Sequence, residues 1–324
     1  MKLQEIYDLA IKLGIEKDVR NREQIDKILA RRKKVYDRLD EEDKEFFDKD
    51  SLFNPFNDTR ILFGDPGLEI TSLICGIDME TPEVVLADRL REKGTSLDLV
   101  LAHHPEGIAQ AGMHGVMNLQ ADLLYRAGIP INVAESILSP RISEVERNIM
   151  PQNHQRAVDA ARLLDMPFMC VHTPADNLVN DFLQTKIDDA GSMYLDDLLD
   201  LLCSIPECSQ ARMLKAGPRL VVGDKKKRAG KVMVDMAGGT SGSALAYEKM
   251  ETAGVGTVVS MHMPEKHREN ASKHNINVII AGHMASDSLG MNLFLDYLEE
   301  RKVNVLPAAG LIRVRRNPEG ILFS

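Results

Sequence analysis

The chain has 324 residues, 44% of them hydrophobic and 27% charged, which is enough apolar material for a full core and suggests about two domains. A net charge of −9 argues against general affinity for nucleic acid or an anionic membrane, although one local group of cations can still hold a nucleotide phosphate. No run approaches the ~18 uninterrupted apolar residues of a membrane helix, and the opening MKLQEIYDLAIKLGIEKD is broken by charge too often for a signal peptide.

Residues 1–60 read as helices. Leu3, Ile6, Tyr7, Ala10, Ile11 and Leu13 recur at helical spacing, with Gly14 as the stop. A second run carries Ile25, Ile28, Leu29, Val35 and Leu39. Its basic cluster at 31–34 reads as a solvated face balanced by nearby acids in preference to a phosphate patch. From residue 61, short apolar runs alternate with amphipathic stretches of helical length. The expected strands are 73–77, 97–102, 129–134, 168–171, 232–236, 257–261, 278–281 and 304–306. This alternation predicts α/β layering with mainly parallel strands. Segment 217–230 reads as turn and edge structure, and a soft domain boundary is expected within 185–215. The four cysteines, Cys75, Cys170, Cys203 and Cys208, form no CxxC pair. Cys75 and Cys170 read as core residues. For Cys203 and Cys208 a metal site or a disulfide is the less favoured reading, and a reducing, cytoplasmic setting is expected.

Of nine histidines, five follow predicted strand ends. LDLVLA runs into His103 and His104. PFMCV runs into His172, followed by Asp176. TVVSM runs into His262, and NVIIAG into His283, followed by Asp287. Ligands of open α/β sheets collect beyond the carboxyl ends of the strands, so these side chains can converge though far apart in sequence. Two segments share one form: strand, His, three residues, Asp. That spacing is about one helical turn and lets His283 and Asp287 face the same way; its recurrence hints at an internal duplication. Taken singly, His172 or His262 is more often a hydrogen-bonded structural residue. For the adjacent pair, and more so for the whole constellation, that reading is the less favoured one. Imidazoles with carboxylates suit Zn, Fe, Mn, Co or Ni. The set His103, His104, Asp176, His283 and Asp287 is too large for one catalytic ion that keeps an open position. It matches two divalent ions ~3.5–4 Å apart that share a carboxylate. His172 and His262 are then left for proton transfer. His114 and His154 read as structural or exposed and His274 as surface, while His267 stays undecided.

Segment 237–243, rich in Gly and Ser after KVMVDM, is either an anion cradle or a plain strand-to-helix turn. It lacks GK[ST] and so is no Walker loop. The absence of a GxSxG elbow disfavours a serine triad. No Arg or Lys adjoins the HHP or GHMASD motifs, which counts against a phosphoesterase that clamps phosphate beside its metals.

The order HHP, HTPAD, GHMASD resembles the NIF-three-like family (NGG-one interacting factor three), also known as GTP cyclohydrolase one type two homologues. The flanks DTRILFGDPGLEITSLICGID and GGTSGSALAYEKMETAGVGTVV agree, and the resemblance covers roughly 58–105 and 168–310. It implies two related α/β domains with mixed, mainly parallel sheets sharing a dinuclear metal site, in a ring-like homo-oligomer such as a hexamer. The expected units are a helical N-terminal extension at 1–60, a first α/β domain at 61–200 with a helical insertion at about 107–166, and a second at 201–324 that contributes GHMASD. By motif, the resemblance makes His103, His104, Asp176 and His283 metal ligands. Where the family usually has Glu as the last ligand, this chain has Asp287, about one methylene shorter. His172 matches a position beside the metals, and loop 261–267 departs from the family's Thr-Gly-acid pattern. The implied activity is metal-dependent hydrolysis of a nucleotide-like substrate, such as the opening of a purine ring. The rival is a non-catalytic metal-binding or regulatory protein of the same family. Leu119, Leu123, Leu124 and Ile149 of the insertion are offered either to a subunit contact or to their own domain.

Overall fold

The computed structural model describes residues 1–316; the last eight residues of the expected 201–324 unit lie outside it. Nine strands form two sheets: β1 Arg60–Phe63, β2 Ser72–Gly76, β3 Leu99–Ala102, β4 Phe168–Cys170, β5 Arg219–Val222, β6 Lys231–Asp235, β7 Val255–Ser260, β8 Asn277–Ile280 and β9 Asn304–Pro307. The first sheet has the order β1-β4-β3-β2-β9 and the second β5-β8-β7-β6. The orders repeat. In each, three successive strands lie parallel, and the strand before them returns antiparallel along the third. Both antiparallel pairs carry a register shift at the same place, between Ile61 and Phe63 and between Leu220 and Val222. The duplication hinted at by the two His–x3–Asp segments is thus written in the backbone, and the α/β architecture with mixed, mainly parallel sheets is the one found.

The third parallel strand of each sheet feeds a long helix, Thr173–Ala190 after β4 and His283–Glu300 after β8. These two helices pack on each other between the sheets. Leu178, Met291, Phe294 and Leu295 face the first sheet with the N-terminal helix Leu3–Glu16, while Val179, Leu183, Ala285 and Leu289 face the second. Both helices are therefore buried nearly all round. Gly14 does not stop the first helix, which runs on to Glu16. Its missing side chain instead lets the helix press on Pro174, where a Cβ would stand 2.8 Å from the proline Cβ.

The expected strand at 129–134 is not found. Pro130 precedes a helix, Ile131–Ile149, whose buried positions Ala134, Leu138, Val145 and Ile149 keep helical spacing. The short run INVA offered too few residues to tell a period of 2 from one of 3.6. Strands β1 and β5 carry little alternation because they are sheet edges, though β5 does lie within the edge structure expected at 217–230. The insertion helices Leu119–Arg126 and Ile131–Ile149 cover the second sheet: Leu119, Leu123, Leu124 and Leu138 bury against Met233, Tyr247 and Val258. Ile149 packs with Met117 and Val145. These positions belong to the chain's own core. Strand β9, from the 201–324 segment, pairs in parallel with β2 of the first sheet, so the two halves interlock. Among the described residues, no helix is long and apolar enough to cross a membrane.

Candidate metal centre

Strand β3 delivers the first pair. The backbone N–H groups of His103 and His104 continue the sheet pattern, donating to the carbonyls of Gly76 and Ile77 at 3.0 and 2.9 Å. The two imidazoles stay side by side, with ring centroids 5.2 Å apart and planes tilted by 39°. His103 is buried, and its Nδ1–H donates to the Val171 carbonyl at 3.0 Å. A carbonyl only accepts, so the proton sits on Nδ1 and Nε2 presents its lone pair inward. His104 donates from Nδ1 to Asp78 at 2.6 Å. His172, the N-cap residue of its helix, donates from Nδ1 to Asp58 Oδ2 at 2.8 Å, and Thr173 Oγ1 donates to the same oxygen at 2.6 Å. Three imidazoles are thus held from behind by acceptors, as metal-binding histidines commonly are.

Opposite them stand Asp176 and Asp287, each in the first turn or so of a central helix. Asp176 Oδ1 lies 3.6 Å from His103 Nε2, and Asp176 Oδ2 lies 3.9 Å from His172 Nε2. Asp287 Oδ1 is 3.6 Å from His103 Nε2, and Oδ2 is 3.4 Å from His104 Nε2 and 3.3 Å from His283 Nε2. These separations exceed a good hydrogen bond. All but the 3.9 Å gap to His172 fall within the ~3.3–3.6 Å that separates two donors bound tetrahedrally to one ion at ~2.0–2.2 Å. Three groups of donor atoms lie within 4.8 Å of one another: His103, Asp176 and Asp287; His104, His283 and Asp287; and His103, His104 and His172. Asp287 belongs to two of them. It is buried, and among the described residues neither of its oxygens has a hydrogen-bond partner. A buried carboxylate with both oxygens unpaired is costly unless a cation satisfies it.

The electrostatics divide the two acids. Burial would raise both carboxyls. It pushes Asp176 well above the carboxylate range, whereas His103, His104 and His283 reverse the effect at Asp287 and hold it below that range. Burial works against a charged His104, yet Asp287 and Asp78 raise it to about 10. Burial lowers His283 to about 4. Asp287 and Asp78 thus favour the protonated form of His104, and a cation bound at its Nε2 would have to displace that proton.

The structure brings together His103, His104, His172, Asp176, His283 and Asp287. His262 stands at the rim, exposed, with its ring 5.1 Å from that of His283 and Nδ1 3.4 Å from Ser241 Oγ. His267 lies further along the same cleft, edge-on to Tyr247 at 5.8 Å. His154 is tied to the Ile149 carbonyl, and His274 to Glu251 at the surface. Two orienting carboxylates, Asp58 and Asp78, were not anticipated. Asp78 follows the end of β2 and so obeys the strand-end rule, but Asp58 precedes β1 and carries no such signal. The cysteines are free thiols, with Cys208 buried.

Segment 237–243 forms a wall of the cleft. Gly238 and Gly239 have φ of +101° and +81°, and Gln120 of the insertion donates to the carbonyls of Gly238 and Thr240. A Cβ on Gly238 would meet Gln120 at 2.5 Å. The helix that follows, Ala246–Thr252, is only seven residues long. The cleft is open to solvent and runs from the imidazole cluster to Tyr247.

No protein-family model and no curated protein sequence matches the chain. Solved structures do. The NIF3 superfamily protein from Sphaerobacter thermophilus superposes with a TM-score of 0.73 at 24% identity, over 95% of this chain and 98% of that one. HcgD from Methanocaldococcus jannaschii, in its reduced form, gives 0.48 at 14% identity, over 82% and 94% of the two chains. The Staphylococcus aureus protein SA1388 gives 0.43 at 15%, over 82% and 95%. With the repeated sheets and the interleaved helices matched along nearly its whole length, this chain has the fold of the NIF3 superfamily protein.

Proposed function

We propose that the chain is a dinuclear metal-dependent hydrolase. One divalent ion would be held by His103, Asp176 and Asp287, and the other by His104, His283 and Asp287, with the metal drawn from Zn, Fe, Mn, Co and Ni. The observation that carries this reading is Asp287. Its two unpaired, buried oxygens face different imidazoles, Oδ1 toward His103 and Oδ2 toward His104 and His283. When bound, such a pair of ions lowers the pKa of water toward neutrality and polarises an electrophile.

The remaining roles fall to the chain's own side chains. Asp58 and Asp78 fix the rings of His172 and His104, so that both present Nε2 to the cluster. His172 stands between Asp58 and Asp176 and can pass a proton along that line. His262 lies at the mouth of the cleft, where partial desolvation by the cleft wall lowers its pKa and favours the neutral ring that can accept a proton. The cleft beside the cluster supports catalysis over a purely structural metal role, because a structural site is closed on all sides. A nucleotide-like substrate is what the family resemblance contributes.

Metal analysis by native mass spectrometry tests the reading, with about two ions per chain expected. His103→Ala or Asp176→Ala should lose at least one ion, while His154→Ala keeps both. One ion or none in wild-type protein under ample metal supply would refute it. The homo-oligomer implied by the resemblance belongs to the same proposal: light scattering should report an assembly at micromolar concentration, and a monomer would remove that part of it.

A further inference from the structure

Strand β6 places a carboxylate where its alternation calls for an apolar side chain. Val234 and Met236 face the core beneath the second sheet, and Met233 faces the layer formed by the insertion helices. Asp235 shares the face of Met233. It is half-buried there, at the carboxyl end of the strand, and it lines the same cleft as the imidazole cluster. Among the described residues its carboxylate makes no hydrogen bond and no ion pair. Burial alone pushes it up to about 6, so the position is unfavourable for the fold. A desolvated, unpartnered acid at a core-facing position of a binding cleft is the kind of group kept for a ligand.

The rest of the cleft says which ligand. Among the described residues, no Lys or Arg lines it. Its floor is apolar, with Leu123, Leu124, Leu138 and Met250. Beside Asp235 stands the ring of Tyr247, buried and raised by burial and by the Asp235 charge. A carboxylate next to an aromatic ring recognises an organic cation, by charge-assisted hydrogen bonds and by the negative face of the ring.

We propose that the cleft binds a substrate presenting a protonated amine or amidinium group to Asp235 and Tyr247, with an apolar body between that group and the imidazole cluster. This rests on the hydrolase reading and narrows its substrate class.

Benzamidine and its neutral isostere benzamide test it, titrated by chemical-shift change against the metal-loaded protein. Wild type should bind benzamidine at least tenfold more tightly than benzamide. Asp235→Asn should lose at least tenfold in benzamidine affinity, leave benzamide within about twofold, and keep the wild-type metal content. Because Asn removes a desolvated charge, its thermal midpoint should equal or exceed that of wild type. Equal binding of the two probes by wild type, no benzamidine binding at all, or an unchanged affinity in Asp235→Asn would overturn the proposal. The wild-type comparison holds even if the variant fails to fold. Metal content separates the two levels: a two-ion protein indifferent to charge sinks only this inference, while a metal-free wild type sinks the hydrolase reading.

Discussion

Asp287→Asn is expected to empty both metal sites after dialysis, taking the content from about two ions per chain to below one. The substitution keeps size and shape and removes one negative charge and one acceptor oxygen. Each proposed ion would lose an anionic donor at once, because Oδ1 faces His103 and Oδ2 faces His104 and His283. One site would be left with His103 and Asp176, the other with two imidazoles and no charge. Loss of a residue that merely supports a ligand weakens metal binding by about 10–100-fold, so each site should fall by at least tenfold. The asparagine N–H₂ would also point a donor into a cluster of lone pairs, which repels a cation further. Competition against a chelator of known affinity measures both steps. If two ions remain with unchanged affinity, Asp287 is a buried helix residue and nothing more. If one ion remains, the carboxylate serves a single site and the bridging arrangement is wrong.

Much of this centre could be read from residue order alone, for a physical reason. The carboxyl ends of parallel strands point to one side of a sheet, so histidines in the next one or two positions must gather there whatever the loops do. The His–x3–Asp spacing then brings its carboxylate back by one helical turn. What stayed hidden depends on pairings between distant segments. Asp58 reaches His172 across 114 positions and sits before an edge strand with a weak pattern. Strand β9 joins the first sheet only because the last long helix carries the chain back across it. The run at 129–134 shows the opposite failure, where local composition pointed to a strand and burial on the second sheet made it a helix. Asp235 was legible as part of a strand and not as a site, since one acid at the end of KVMVD is no signal until the face it occupies is known.

Gly290→Ala is the second large expected effect, and it bears on how the proposed ligand Asp287 would reach its ions with so short a side chain. The two central helices cross where Gly290 meets Ala175. A Cβ on Gly290 would stand 2.4 Å from the Ala175 carbonyl oxygen and 2.9 Å from its carbonyl carbon. Both contacts are backbone, so no flexible side chain can yield, and the helices must separate. Helix propensity favours Ala by about 1 kcal/mol. Overpacking of a filled core opposes it by about 1–3 kcal/mol, and the crossing lies between two apolar layers that fit no looser spacing. Stability should therefore fall. The larger consequence is local. Asp176 follows Ala175 directly, and Asp287 lies three residues before Gly290, on the turn that faces it. Separating the helices pulls these carboxylates apart, and the donors His103, Asp176 and Asp287 no longer stand one ligand spacing from each other. The ion bound there should be lost first, while His104, His283 and Asp287, of which the last two ride on one helix, keep theirs longer. Titrating metal back into the stripped variant should fill one site near wild-type affinity and the other at least tenfold more weakly. A variant that keeps its melting temperature and fills both sites equally would show that the close crossing does not set the reach of Asp287.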